Sequence, residues 1–102
     1  MLYTNPLVHL IIDFIVDHTV AEPNTFAYRH KRIFVNDVRK VLSVLEDHGL
    51  LKKRSIKIEK FKEEYGYRLL PGSDLNIFRN ESNTELYYFN VDIKFILKAR
   101  LH

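Results

Sequence analysis

The stretch from Asn36 to Leu51, NDVRKVLSVLEDHGLL, constrains the fold most, because its start, its apolar face and its end can each be read from the residues. Asn36 suits an N-cap and Asp37 the first turn, where free backbone N–H groups and the positive end of the helix dipole favour side-chain oxygens. Val38, Val41, Leu42 and Leu45 recur at i, i+3, i+4 and i+7, with Val44 widening the stripe, so one face of a 3.6-residue helix meets a core. Gly49 stands where a residue of positive φ ends a helix, and Leu50 can fold back as its apolar partner. Beyond it, Ile56 and Ile58 alternate with Lys57 and Glu59. A turn-like KEEYG follows, and then Tyr65, Tyr67 and Leu69 alternate around Arg68. The pattern predicts a basic β-hairpin directly after the helix.

Ahead of this unit, Asn5 and Pro6 predict the start of a first helix, since Pro loses nothing at the first helical position. Apolar residues from Leu7 to Val16 cover most of its circumference and leave only His9, Asp13 and Asp17 polar at i, i+4 and i+8. Such a helix is buried on several sides, or against a second copy of the chain. The polar strip, with His18 beside it, has metal-ligand residue types, but a single row one turn apart rarely converges on one ion, and a solvated strip is the expected reading. The run is interrupted by His9 and Asp13 and is far shorter than the ~20 residues a bilayer needs. It is read as a soluble core helix, with no membrane role and a cytoplasmic setting.

Val20 to Thr25 reads as a loop, with Glu22-Pro23 breaking helix. Phe26 to Val35 fits a strand at least as well as a helix, because Phe26, Tyr28, Ile33, Phe34 and Val35 all favour extended backbone. Leu75 to Arg79 and Leu86 to Phe89 predict a second hairpin. The last segment, VDIKFILKARLH, matches both periods and is read as a helix on the strength of Lys98 and Arg100 near its end. A gapless match of Phe34–Leu42 to Phe89–Leu97, fifty-five positions apart, suggests two strand-to-helix motifs in pseudo-symmetry with a groove between them.

One domain over residues 1–102 is expected, since 46% apolar residues with 7 Phe and 6 Tyr supply a single core. The chain has no Cys, which excludes disulfides, thiolate metal sites and cysteine nucleophiles. The net charge of +3 is unevenly spread: residues 30–60 hold nine basic and four acidic side chains, whereas residues 61–102 hold six of each. The basic excess therefore belongs to the helix and predicted hairpin, either as a nucleic-acid surface or as a solvated lysine-rich face.

The helix, the step Gly49-Leu50-Leu51, the basic run Lys52-Lys53-Arg54 and the returning Tyr67-Arg68-Leu69-Leu70 resemble the second half of a winged helix-turn-helix domain over residues 36–71. The fold class expected is a small two-layer α+β domain with two or three helices and β-hairpins, winged-helix-like. The resemblance implies a helix in the major groove of duplex DNA through Asn36, Arg39, Lys40 and Ser43, with Lys52, Lys53, Arg54, Lys57 and Lys60 near phosphates. It also implies a common use as a homodimer. The family pattern places a short strand and a first helix between Phe26 and Val35, where these residues look as much like a strand. Small size, absence of Cys and aromatic and lysine content are similar to those of small orphan proteins of archaeal viruses, which implies a host cytoplasm.

For catalysis the sequence offers neither a glycine-rich phosphate loop nor a GxSxG elbow, so a non-enzymatic protein without metal or cofactor is expected. The alternative to DNA binding is a protein-interaction module, either a dimerising adaptor or a peptide groove, using Tyr87, Tyr88 and Phe89.

Overall fold

The computed structural model describes residues 5–69, 75–78 and 81–90. In chain order these form α1 (Pro6–His18), α2 (Pro23–Arg29), α3 (Val35–Asp47), β1 (Leu51–Lys57), α4 (Ile58–Leu69), a 3-10 turn (Leu75–Phe78) and β2 (Asn83–Phe89). The class is α+β, as the residue patterns predict.

Asn5 caps α1 by accepting the Leu7 N–H at 2.9 Å, and Pro6 takes the first helical position. Val8, Ile11, Phe14 and Ile15 are buried, while Leu10 on the far side is exposed. Glu22-Pro23 opens a helix instead of breaking one. The Glu22 carboxylate caps α2 through the Asn24 and Thr25 N–H groups at 2.9 and 2.8 Å, and Pro23 then sits where Pro6 sits in α1. The stretch from Phe26 accordingly begins as helix and turns at His30–Ile33. Its strand propensity is overridden by burial: the Phe26 ring lies edge-on to Phe14 at 5.2 Å and stacked on His30 at 4.2 Å.

That turn delivers the chain into α3 two positions before Asn36, so Phe34 is the N-cap and no side chain caps the helix. Asn36 is not the cap that its residue type suggests. The buried stripe is the expected one, with Val38, Leu42 and Leu45 inside and Val41 half-buried. Its end is a Schellman motif: Gly49 has φ 80°, its N–H reaches the Glu46 carbonyl at 2.9 Å, and the Leu50 N–H reaches Leu45 at 3.0 Å.

The hairpin predicted over residues 52–70 does not form. The chain is strand only to Lys57, and α4 follows at once. Ile58, Phe61, Tyr65 and Leu69 repeat at helical spacing; Ile58, Phe61 and Leu69 are buried and Tyr65 packs against the core, a longer apolar stripe than the brief alternation Ile56-Lys57-Ile58-Glu59 supports as strand. Gly66, a plausible turn residue, lies within this helix. Leu75–Phe78 is a 3-10 turn and not the first arm of a second hairpin. The expected strand at Leu86–Phe89 is present, but its partner is β1, antiparallel from Leu51↔Phe89 to Lys57↔Asn83. Ala21 adds to the other edge of β2 through two backbone bonds with Tyr87, both 2.9 Å. Asn90 closes the open end by donating to the Gly49 and Leu50 carbonyls, each at 2.9 Å.

Residues from Val91 onward, and with them the helix-or-strand question and most of the second repeat copy, lie outside the described residues. One apolar core joins α1, α2, α3, the sheet, α4 and the 3-10 turn. No helix among the described residues is long and apolar enough to cross a membrane.

Candidate nucleic-acid interface

Opposite the buried stripe of α3, Asn36, Arg39, Lys40 and Ser43 are all exposed. Arg39 spans from α3 to the start of α2, its guanidinium donating to the Asn36 and Asn24 side-chain carbonyls, both at 3.5 Å. These bonds are at the long limit for N–H···O and hold the cation loosely. Arg39 and Ser43 also border a cleft shared with Asn83, Glu85 and Tyr87 of β2. The polar face of α3 is thus open along its length and flanked by the sheet.

The basic run on β1 is not one patch. Successive strand residues point to opposite faces. Lys53 lies with Glu46 of α3 at 3.6 Å and Glu85 of β2 at 3.9 Å, whereas Arg54 lies with Glu64 of α4 at 3.9 Å and the Tyr65 hydroxyl at 3.4 Å. Lys60 pairs with the same Glu64 at 3.9 Å. Lys53, Arg54 and Lys60 therefore carry local counter-charges, which weakens their pull on an outside anion. Among the described residues, no ion pair is formed by Lys40, Lys52 or Lys57. All three are exposed.

Two further cations, Lys31 and Arg32, are exposed in the turn between α2 and α3, next to the uncapped start of α3. The basic run Arg29-His30-Lys31-Arg32 marked them in the sequence, and the α2–turn–α3 path places them just ahead of α3. Tyr28 and Phe34 are exposed at 46% and 76% in the same region. By contrast, Tyr87 is buried, with its hydroxyl donating to Glu85 at 3.2 Å; burial first, and then the Glu85 charge, push its pKa up to about 12. Tyr88 and Phe89 are half-buried against the core, so the nominated protein-contact trio contributes mainly to packing.

No group of three or more His, Asp or Glu side chains that would suit a metal ion comes together among the described residues. Comparison of the chain with protein-family models, with curated proteins and with solved structures gives no match.

Proposed function

We propose that the protein is a nucleic-acid-binding domain of winged-helix type that takes duplex DNA, with α3 as its recognition helix. The observation that carries this reading is the pair α2 and α3, with the exposed Asn36, Lys40 and Ser43 on α3 directly opposite its buried stripe. The element order supports it: a helix, one bridging residue at Ala21, two helices, then β1 and β2. On this reading the wing is enlarged, since the path from β1 to β2 contains α4 and the 3-10 turn. A helix at Pro23–Arg29 supplies the first half of the helix-turn-helix. Asn36, Arg39, Lys40 and Ser43 would meet bases and phosphates, and Lys57, on the same strand face as Lys53, a phosphate along the ribbon, whereas Lys52 shares the face of Arg54.

The test is fluorescence anisotropy with a mixed-sequence duplex across roughly 50 to 200 mM salt. Replacing Lys40 and Lys57 by Ala should flatten the log–log salt slope by about 1.8, at ~0.9 per phosphate contact. Absence of binding at the lowest salt would overturn the proposal.

A further inference from the structure

A cleft of about 680 Å³ opens between α2, the start of α3 and the 3-10 turn, and Asn36 and Arg39 of the α3 face border it. The volume lies within the roughly 300–1,000 Å³ usual for small-molecule pockets. Its lining is divided by chemistry. Ile33, Ile77 and Phe78 contribute half-buried or buried apolar surface, while Tyr28 and Phe34 are aromatic rings left exposed. Asn24, Asn36 and Arg39 line it too, tied together only by the two 3.5 Å bonds of the guanidinium, and Glu81 adds a carboxylate.

A single exposed Phe needs no explanation, but Phe34 and Tyr28 border one cleft together with Ile33, Ile77 and Phe78, and a contiguous apolar surface of that kind rimmed by polar groups marks a binding groove. An apolar side chain of a protein would be satisfied by the rings alone. The amides, the guanidinium and the carboxylate call for an occupant with a flat face, donors and acceptors on its edge, and an anion attached. A nucleotide has all three. Aromatic rings stack on any base, Asn and Glu pair with base-edge donors and acceptors, and Arg39 can exchange its long amide bonds for a phosphate. The exposed Lys31 and Arg32, in the turn that leads into this cleft, add positive charge for the strand that carries the base.

We infer that this cleft receives one unpaired, unstacked nucleobase of the bound nucleic acid, stacked on Phe34 and Tyr28, with its phosphate at Arg39. The inference rests on the DNA-binding reading and adds a preference for duplex carrying an extrahelical nucleotide. The ligand class is a single nucleotide in a strand, not a free metabolite.

The test compares three duplexes of the same sequence by anisotropy: fully paired, with one unpaired 2-aminopurine, and with an abasic residue in place of that base. The 2-aminopurine duplex should bind roughly tenfold more tightly than the other two, as one base–aromatic stack predicts, and its fluorescence should be quenched on binding. Phe34→Ala and Tyr28→Ala, both at exposed positions, should remove the preference and the quenching while binding to the paired duplex persists. Equal affinity for the three duplexes overturns the inference and leaves the DNA-binding reading standing. A preference equally strong for the abasic duplex also overturns it, since bending at the defect then accounts for the effect, and so does one that survives both substitutions, since the base is then not held by these rings. Failure to bind any of the three overturns both.

Discussion

The fully buried Glu22 carboxylate accepts the Thr84 hydroxyl hydrogen at 2.9 Å across sixty-two positions of sequence. It also takes the backbone N–H groups of Asn24 and Thr25 and the Asn24 side-chain amide, so every contact to it is a donor. One side chain thereby caps α2 and fastens it to β2 beside the Ala21–Tyr87 bridge. Glu22→Ala would strand two N–H groups and a hydroxyl, each at about 1–3 kcal/mol when unmet. A loss of at least about 3 kcal/mol is expected, against about 1 kcal/mol for Thr84→Val, which removes one bond. Urea denaturation measures both, and equal midpoints for wild type and Glu22→Ala would refute the fastening role.

The same carboxylate makes stability depend on pH. Burial raises the Glu22 pKa above the ordinary 4.5, and its four hydrogen bonds offset that only in part. The folded state therefore keeps a proton that the unfolded chain releases above 4.5, so this group's contribution is full below 4.5 and is lost as pH rises through the folded value. Unfolding free energies from about pH 4 to 7 should decline for wild type relative to Glu22→Gln, which cannot ionise. A wild-type curve that rises relative to the variant would mean the hydrogen bonds outweigh burial.

Gly49 and Gly66 separate backbone conformation from space. A Cβ at either position would meet nothing within 4 Å. Gly66 is inside α4, so Gly66→Ala should stabilise by about 0.5–1 kcal/mol through helix propensity and raise Tm by a few degrees. Gly49 has φ 80°, where a side chain is strained, so Gly49→Ala should destabilise by about 1–2 kcal/mol. Calorimetry on the two variants decides; shifts of the same sign would contradict this account of α3's end or of α4.

What could be read from sequence was what depends on near neighbours. Asn5-Pro6, the α3 stripe and Gly49-Leu50 act over four or five residues, and each does in the fold what its chemistry predicts. Glu22-Pro23 misled because proline ends one helix and starts another; the preceding acceptor, Glu22, was the distinguishing sign. The α4 stripe was present in Ile58, Phe61, Tyr65 and Leu69, but Tyr65, Tyr67 and Leu69 also alternate, and Gly66 imitates a turn. The choice of β2 as partner for β1 rests on a pairing across some thirty residues, which no local pattern encodes. In the candidate site, the exposure of Asn36, Arg39, Lys40 and Ser43 follows from their lying away from the buried stripe. The neutralisation of Lys53 and the exposure of Tyr28 and Phe34 depend on which elements pack beside them, and so had no local signal.

The pairing of Lys53 yields the most direct check on the charge arrangement that the proposed DNA binding requires. Lys53 and Lys57 share one face of β1, but Lys53 lies against Glu46 and Glu85 while Lys57 forms no ion pair among the described residues. Exposed pairs of this kind contribute at most about 1 kcal/mol to stability, so removing them should leave the fold intact. Lys57→Ala should reduce the salt slope for duplex binding by about 0.9, and Lys53→Ala by clearly less, because its charge is already answered within the protein. Glu46→Gln with Glu85→Gln should do the reverse: Lys53 becomes available, two repelling carboxylates beside α3 are gone, and the slope should steepen by up to ~0.9 as affinity rises. Anisotropy titrations of the three variants beside wild type test the arrangement. Identical slopes for Lys57→Ala and Lys53→Ala, with no gain on removing the two carboxylates, would mean that the ribbon's cations do not contact the nucleic acid individually.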